Sequence, residues 1–423
     1  MSQTNIFSDP VFLQNGNLEK LSNLGIKKYY QKKSILKHLY QREVLSNPEI
    51  CKLTNMSSPS INKLLNELIT EGLVREEGVG HSIGGRRPNL FGINPEARFV
   101  VGIKIGMKST EVAIFDLRNQ VINNIQTLNR PLENNPQCVD DINNFMRTII
   151  QNSGIDYSKV LSIGIGLPGL TNPNLGTSYS YFNYSEKSTR EIFEEIFGKP
   201  VFLDNDARVM ALGESAFGLA QGRNNVLCLY IGSGIGMGMI LNGKLYKGNS
   251  GFAGEFGHIQ IVDDGLLCFC GKRGCLETVA SGVALEQMAR TEIENGKTTK
   301  ITAIVGDKLS DITTKIIVEC AMQGDQLSID LLAKISEYLG KGLATLIHIF
   351  NPEAIILGGK VSKAGNFIID PIQQTLNKYT IYKIKNDCQI MTSILGDKSA
   401  VMGAMTLVMD NIFEDIPVAS MQG

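Results

Sequence analysis

At 423 residues the chain is too long for one ordinary hydrophobic core, so its length predicts two or three domains. With 43% hydrophobic and 20% charged residues, and no apolar run of membrane length, it reads as globular rather than disordered or membrane-spanning. The net charge of −1 conceals a basic head: Lys20 to Arg98 carry 13 Lys and Arg against 7 Asp and Glu, so the rest is acidic. Such a head suits an anionic partner, although a solvated charged face would look the same. The opening residues show no apolar signal-type core, and five of the eight cysteines are isolated. Both features predict a cytoplasmic protein without a disulfide framework.

The first 27 residues carry no clear pattern and are assigned to a tail. Ile35, Leu36 and Leu39 share one side of a helix predicted around Gln31–Gln41. Ser46-Asn47-Pro48-Glu49 fits a capping box that starts a short helix running to about Thr54. After a turn at Asn55–Ser57, Ser58 is expected as an N-cap and Pro59 as the first helical residue. Ile61, Leu64, Leu65, Leu68 and Ile69 then follow helical spacing up to Gly72.

Two capped helices joined by a short turn predict a helix-turn-helix within a DNA-binding domain at 28–95. Ser57, Ser58, Ser60, Asn62 and Lys63 would offer hydroxyls, an amide and a cation to the major groove and flanking phosphates. The stretch EEGVGHSIGGRRPNLFGI reads as a β-hairpin wing, with Arg86 and Arg87 suited to phosphate or minor-groove contact.

From Phe99 the period changes. FVVGIKI, STEVAIFDL and VINNIQTL read as three successive strands, followed by a helix around Pro136–Gln151. LSIGIGLPG is a buried strand entering a glycine loop, and VFLDND is a strand delivering Asp204-Asn205-Asp206 into a helix. VLCLYIGSGIGMGMIL is a strand-turn-strand hairpin, and IFNPEAIILGG ends another strand in a glycine pair. Strands and helices alternate twice over, predicting two α/β lobes around a cleft. The Gly232-Ser233-Gly234 turn can cradle phosphate or simply close a hairpin. Asp206 can bind a sugar hydroxyl or take its proton, or else cap the helix beginning near Ala207.

The histidine and cysteines of GHIQIVDDGLLCFCGKRGCLE concentrate the chemistry. His258, Cys268, Cys270 and Cys275 follow H-x9-C-x-C-x4-C, with glycines at 265, 271 and 274 to bend the loop. Three thiols and one imidazole match a closed tetrahedral Zn2+ site, which is structural because no ligand position is left open. A pinned turn of this kind could present Glu255, Glu277 and the free ring nitrogen of His258 to a polyhydroxylated ligand.

AGEFGHIQIVDDGLLCFCGKRGCLET resembles the signature of the ROK family, the repressors, open reading frames and sugar kinases. The likeness runs from the helix-turn-helix to the C-terminal GAMTL helix. It implies an α/β fold in which a winged helix-turn-helix precedes a two-lobed, actin-like sugar-kinase domain. The implied small lobe covers 96–206 and is completed by about 392–412; the large lobe covers 207–391 and holds the zinc loop. Carried over by position, the sugar contacts fall on Asn205, Asp206, Glu255, His258 and Glu277, and Gly166–Gly169 matches the sugar-side loop.

One departure matters. Kinases of the family open their first strand pair with an acidic D-x-G-G-T-type loop, and here that run is Lys104-Ile105-Gly106-Met107-Lys108. Lysine cannot help hold a hydrated magnesium ion, and the Met107 side chain would crowd the phosphate path. The expectation is therefore a repressor that senses a sugar or sugar phosphate without catalysis, binding double-stranded DNA as a homodimer or homotetramer. An active hexose kinase using Asp206 as base and bearing a DNA-binding head is the alternative. A sugar-binding scaffold that meets another protein through its head is a third.

Overall fold

Among the described residues the first helix is α1 (Asn23–Arg42), which Ser22 caps by accepting from the Gly25 N–H at 3.2 Å. The helix therefore starts five residues inside the stretch assigned to a tail. The computed structural model describes residues 22–80 and 87–414, and the chain divides into two units. The first comprises residues 1–165, 181–203 and 404–423; the second comprises 166–180 and 204–403. The sequence boundaries stood at 206 and 391. The second unit instead takes in the 166–180 hairpin, tied to it by Arg208, and the residues up to Gly403.

In the first unit the head follows the expected plan. Strand β1 (Val44–Ser46) leads into α2 (Asn47–Thr54), and Asn55 makes the turn in the left-handed region at φ 54° before α3 (Ser58–Thr70). The Glu49 carboxylate accepts both the Ser46 backbone N–H at 2.8 Å and its hydroxyl at 2.6 Å. The N-cap of α3 is Ser57 rather than Ser58, because Ser57 still has extended dihedrals while Ser58 is already helical. Ile61, Leu64, Leu65 and Leu68 are buried, as their spacing requires. Strands β2 (Val74–Val79) and β3 (Asn89–Ile93) form the wing in a sheet of order β1-β3-β2. The expected tip, with Arg86, lies outside the described residues.

The same unit holds a second sheet of order β10-β7-β4-β5-β6. Its strands are β4 (Phe99–Ile105), β5 (Thr110–Asp116), β6 (Gln126–Leu128), β7 (Val160–Leu167) and β10 (Val201–Asn205). The expected third strand VINNIQTL shrinks to three residues plus a single bridge from Val121 to Phe115. The Asp116 carboxylate accepts from the Arg118 and Gln120 N–H groups in the turn before this stretch, and Val121 and Ile122 still pair with β5; the ladder breaks at Asn123–Ile125 and resumes at Gln126. Helices α4 (Pro136–Asn152) and α5 (Thr189–Phe197) belong to this unit.

The second unit is built on a sheet of order β13-β12-β11-β14-β15. It contains β11 (Val226–Ile231), β12 (Ile235–Leu241), β13 (Lys244–Leu245), β14 (Ala354–Gly358) and β15 (Gln389–Thr392), with β8 (Thr171–Asn172) and β9 (Thr177–Ser178) as a separate hairpin. Alternation on β11 and β14 sorts the core. Leu227, Leu229, Ile355 and Leu357 pack with α7 (Gly282–Glu294), α8 (Thr314–Met322), α9 (Gln326–Phe350) and α10 (Asn366–Tyr379). Val226, Cys228, Ala354 and Ile356 face α6 (Asp206–Phe217). Covered on both faces, these strands are apolar at every position.

Helix α6 also meets the start of α11 (Lys398–Glu414) backbone to backbone. A Cβ on Gly213 would lie 2.0 Å from the Ser399 carbonyl oxygen, and one on Gly403 only 1.7 Å from that of Val209. Only glycine permits this approach. No helix among the described residues is long and apolar enough to cross a membrane.

Candidate functional site

Two sets of side chains stand out, one in each unit. In the head, Ser57, Ser58, Ser60, Asn62 and Lys63 are all exposed on the first turns of α3, and Arg87 is exposed beside the wing. The Ser57 hydroxyl makes no cap bond and lies 2.9 Å from the Ser60 hydroxyl. Further along α3, charge fixes the helix: the Lys32 ammonium, 9% exposed, sits 3.0 Å from Glu67 and 2.5 Å from Glu71, and Lys28 meets Glu67 at 2.8 Å. α3 is thereby held against α1 while its N-terminal polar residues stay exposed where a duplex would lie.

In the second unit the ligand-type residues converge where β10 passes into α6. Asn205, not Asp206, is the N-cap of α6: its Oδ1 accepts from the Ala207 N–H at 3.0 Å and the Arg208 N–H at 3.3 Å. Its Nδ2 donates to the Gly169 carbonyl at 3.1 Å, fastening the glycine loop and leaving one amide hydrogen for a ligand. The capping role being filled, Asp206 is the first residue of the helix.

Glu277 is fixed from the opposite direction. Its carboxylate accepts the Ile235 N–H at 2.8 Å, and it lies so close to Gly234 that a Cβ there would be 2.2 Å from its Oε2. The Gly232–Gly234 turn thus serves as a seat for this carboxylate, which is what its glycines allow.

Burial pushes the carboxyls of both Glu255 and Glu277 up. Repulsion from Asp206 adds to this in each, and His258 opposes it. Arg208 also opposes the rise at Glu255, and the Ile235 N–H does so at Glu277. Three carboxylates, an amide and an imidazole within mutual electrostatic reach form an acceptor-rich surface, the chemistry that hydroxyl groups satisfy.

His258 joins this surface to the cysteine loop. Its Nδ1 is 3.6 Å from the Cys268 sulfur, while Nε2 faces Glu255 at 4.0 Å. The ligand atoms of His258, Cys268, Cys270 and Cys275 lie within 4.8 Å of one another, with the Cys270 and Cys275 sulfurs 3.6 Å apart. A tetrahedron with metal–sulfur bonds of about 2.3 Å has sulfur–sulfur edges of about 3.8 Å, so these side chains can close on one metal ion.

The backbone prepares that arrangement. Leu267 bridges to Arg273 and Gln260 to Cys275, and the Cys268 N–H donates to the Lys272 carbonyl at 2.7 Å. Gly271 and Gly274 supply positive φ, whereas Gly265 is needed for its close approach to Gly274.

Arg208, which the sequence reading did not single out, is the organiser of the second set. It is 1% exposed, and its guanidinium donates to Asp204 at 2.6 Å, the Thr171 carbonyl at 3.0 Å and the Ala253 carbonyl at 3.3 Å. One buried side chain therefore ties the β10 end, the β8–β9 hairpin and the segment leading to Glu255. An acid and a base four residues apart across a strand–helix junction was the available signal.

In the first unit, the run at Lys104 is braced as an ordinary turn. Lys104 lies 3.8 Å from Glu111, the Leu132 N–H donates to the Met107 carbonyl at 3.0 Å, and the Tyr181 hydroxyl meets the Met107 sulfur at 3.4 Å.

Residues 100–411 match the ROK family, and residues 30–75 match a winged helix-turn-helix DNA-binding family. A putative xylose repressor of Caldicellulosiruptor sp. (strain Rt8B.4) is 29% identical over 394 residues, covering 93% of this chain and 98% of its own. The N-acetylglucosamine repressor of Escherichia coli O157:H7 is 27% identical over 397 residues, covering 93% and 95%. Among solved structures, a ROK family transcriptional regulator homologous to the E. coli MLC protein aligns with a TM-score of 0.76 at 27% identity, covering 94% of this chain and 99% of that one. A ROK family glucokinase from Streptomyces griseus, in complex with glucose and AMPPNP, aligns with a TM-score of 0.65 at 31% identity, covering 72% and 97%.

Proposed function

The chain belongs to the ROK family, and from that premise we infer that it is a sugar-responsive, DNA-binding transcriptional regulator of the repressor type. The observation that carries this reading is the presence, in one chain, of a winged helix-turn-helix and an acceptor-rich ligand site. Relatives named as sugar repressors align along 93% of the chain, whereas the glucokinase aligns with 72% of it.

In this reading Asn205, Asp206, Glu255, His258 and Glu277 bind the hydroxyls of a sugar or sugar phosphate. The metal held by His258, Cys268, Cys270 and Cys275 is zinc, the ion that three thiolates and an imidazole select. Bound there, it supplies rigidity rather than chemistry, holding His258 so that Nε2 faces the ligand. DNA binding uses two heads of a homodimer or homotetramer on paired half-sites. A DNA partner makes the cytoplasm the place of action.

The protein is proposed to be non-catalytic. A lysine at 104 in place of a carboxylate removes the group that would orient a hydrated magnesium ion, so Asp206 binds a hydroxyl without passing its proton on. Ligand acts by favouring one of two DNA-binding states, to the extent that its affinity for them differs.

A gel-shift titration on the DNA upstream of the protein's own coding sequence, with a scrambled duplex as control and a panel of sugars and sugar phosphates, tests this. Specific retention altered by one ligand is the expected result. Retention of both duplexes alike, indifferent to every ligand, overturns it. ADP release with a hexose, abolished by Asp206→Asn, would return the protein to the kinases.

A further inference from the structure

Asn47 lies outside the recognition helix, yet it touches two of the residues expected to read bases. It is half-buried at the start of α2. Its Nδ2 donates to Asn62 Oδ1 at 2.6 Å. Its own Oδ1 accepts from the Ser58 hydroxyl at 3.1 Å and the Cys51 thiol at 3.2 Å. The amide is thus committed on both sides: its oxygen takes the Ser58 and Cys51 hydrogens, and its nitrogen serves Asn62.

These commitments restrict base readout. A free asparagine can address adenine with both ends, accepting from N6 and donating to N7. Asn62 has its oxygen engaged by Asn47, so it turns its Nδ2 hydrogens outward and acts as a donor. Its matching base edges are acceptors: purine N7, guanine O6 or thymine O4. Ser58 has spent its hydroxyl proton on Asn47 and presents an oxygen lone pair, which matches the amino groups of adenine or cytosine. We propose that Asn47 is a specificity-determining positioning residue of the DNA-reading face, setting Asn62 as a donor and Ser58 as an acceptor.

The inference rests on the DNA-binding reading above and deepens it. Exchange of Asn47 for aspartate tests it, because an aspartate side chain has nearly the same shape but no amide hydrogens. Asn62 must then rotate its Nδ2 inward to donate to the carboxylate, turning its oxygen toward the groove as an acceptor.

Full-length wild type, Asn47→Asp, Asn47→Ala, Asn62→Ala and the Asn47→Asp/Asn62→Ala double variant are each used to select from a random-sequence duplex library. The expected result for Asn47→Asp, which still accepts from Ser58, is a change confined to the position that Asn62 reads in each half-site. There, wild type prefers an acceptor edge, Asn47→Asp prefers an amino-bearing base by about tenfold, and Asn47→Ala shows little preference. In the Asn62→Ala background, Asn47→Asp adds no new preference at that position.

A merely structural Asn47 would lower affinity for all sequences alike and leave the selected sequence unchanged, which overturns the proposal. A base preference that still follows Asn47→Asp without Asn62 also overturns it, since residue 47 would then be reading the base itself. If Asn47→Ala fails to fold, the isosteric aspartate carries the test. Failure of wild type to enrich any sequence would instead sink the DNA-binding reading, and the proposal with it.

Discussion

The Tyr40 hydroxyl donates to Asn119 Oδ1 at 2.9 Å while its ring lies 5.2 Å from that of Phe413, so one residue of α1 fastens the DNA-binding head to both the β5 turn and the end of α11. Its burial raises the phenol pKa far above the usual tyrosine value, so the hydroxyl stays protonated and donates throughout the accessible pH range. A second fastening comes from the wing, where Glu77 pairs with Arg118 and also accepts from Arg75 at 2.9 Å.

Removing the hydroxyl and removing the ring should therefore differ. Tyr40→Phe loses one hydrogen bond and should cost about 1 kcal/mol. Tyr40→Ala also loses the ring contact and should cost about 3 kcal/mol. Thermal or urea unfolding followed by circular dichroism distinguishes them, and equal losses would show that the ring contributes nothing. DNA affinity should survive both changes below the melting range, because α3 is braced independently by Lys28 and Lys32.

The head was legible because local signals there agree with the tertiary structure. Ile61, Leu64, Leu65 and Leu68 follow the helical period and are buried, and Ser46 and Glu49 announce the start of α2. The cysteine loop was legible for a different reason: its ligands are close in sequence, so spacing alone brings them together. Residues acting across the chain were not legible. Arg208 sits on a helix within an apolar stretch, and only the folded chain brings Thr171 and Ala253 to it. Asn47 read as part of a cap, since nothing in its position shows that α3 will lay Ser58 and Asn62 against it. VINNIQTL misled because alternation cannot show that the chain leaves the edge of β5 at Asn123–Ile125 and returns only at Gln126.

Removing the metal should damage ligand binding before it damages the head. The loop from His258 to Cys275 has Leu266, Leu267 and Phe269 largely exposed, so it has little apolar packing of its own. Cys268→Ser, or treatment with a strong chelator, should abolish sugar-induced stabilisation in a thermal-shift assay, because His258 loses its fixed orientation. With zinc as the proposed ion, elemental analysis is expected to find one per wild-type chain and none after either treatment. Basal DNA binding in the absence of sugar should persist, as the head is a separate set of elements. Retained sugar response in metal-free protein would refute the bracing role.

Acid should weaken the head through Glu49. Hydrogen bonds from the Ser46 side chain and backbone hold its carboxyl below the ordinary glutamate value, with Arg42 assisting and burial opposing. A folded-state pKa below the unfolded one means the contribution is present above the unfolded value and lost as pH falls through the folded one. Glu49→Ala should cost about 1 kcal/mol at neutral pH. Its unfolding curve should approach that of wild type as the pH falls from the ordinary glutamate range through the lower folded-state value, where the wild-type carboxyl takes up its proton. A gap that stays constant down to that pH would assign the loss to something other than the cap.

The strongest structural effect is expected at Arg208. It is 1% exposed and pairs with Asp204, which is fully buried, so truncation leaves a carboxylate without its counter-charge. Arg208→Ala should cost about 3–5 kcal/mol. Arg208→Lys keeps the charge but cannot hold Asp204, Thr171 and Ala253 at once, since an ammonium lacks the planar fork of a guanidinium. That variant should remain folded while losing sugar affinity, because the Glu255 segment and the glycine-loop hairpin are no longer tied together. Isothermal titration of a sugar identified in the gel-shift screen, alongside unfolding curves, separates the two effects. Wild-type affinity in folded Arg208→Lys would mean that the buried guanidinium serves stability alone.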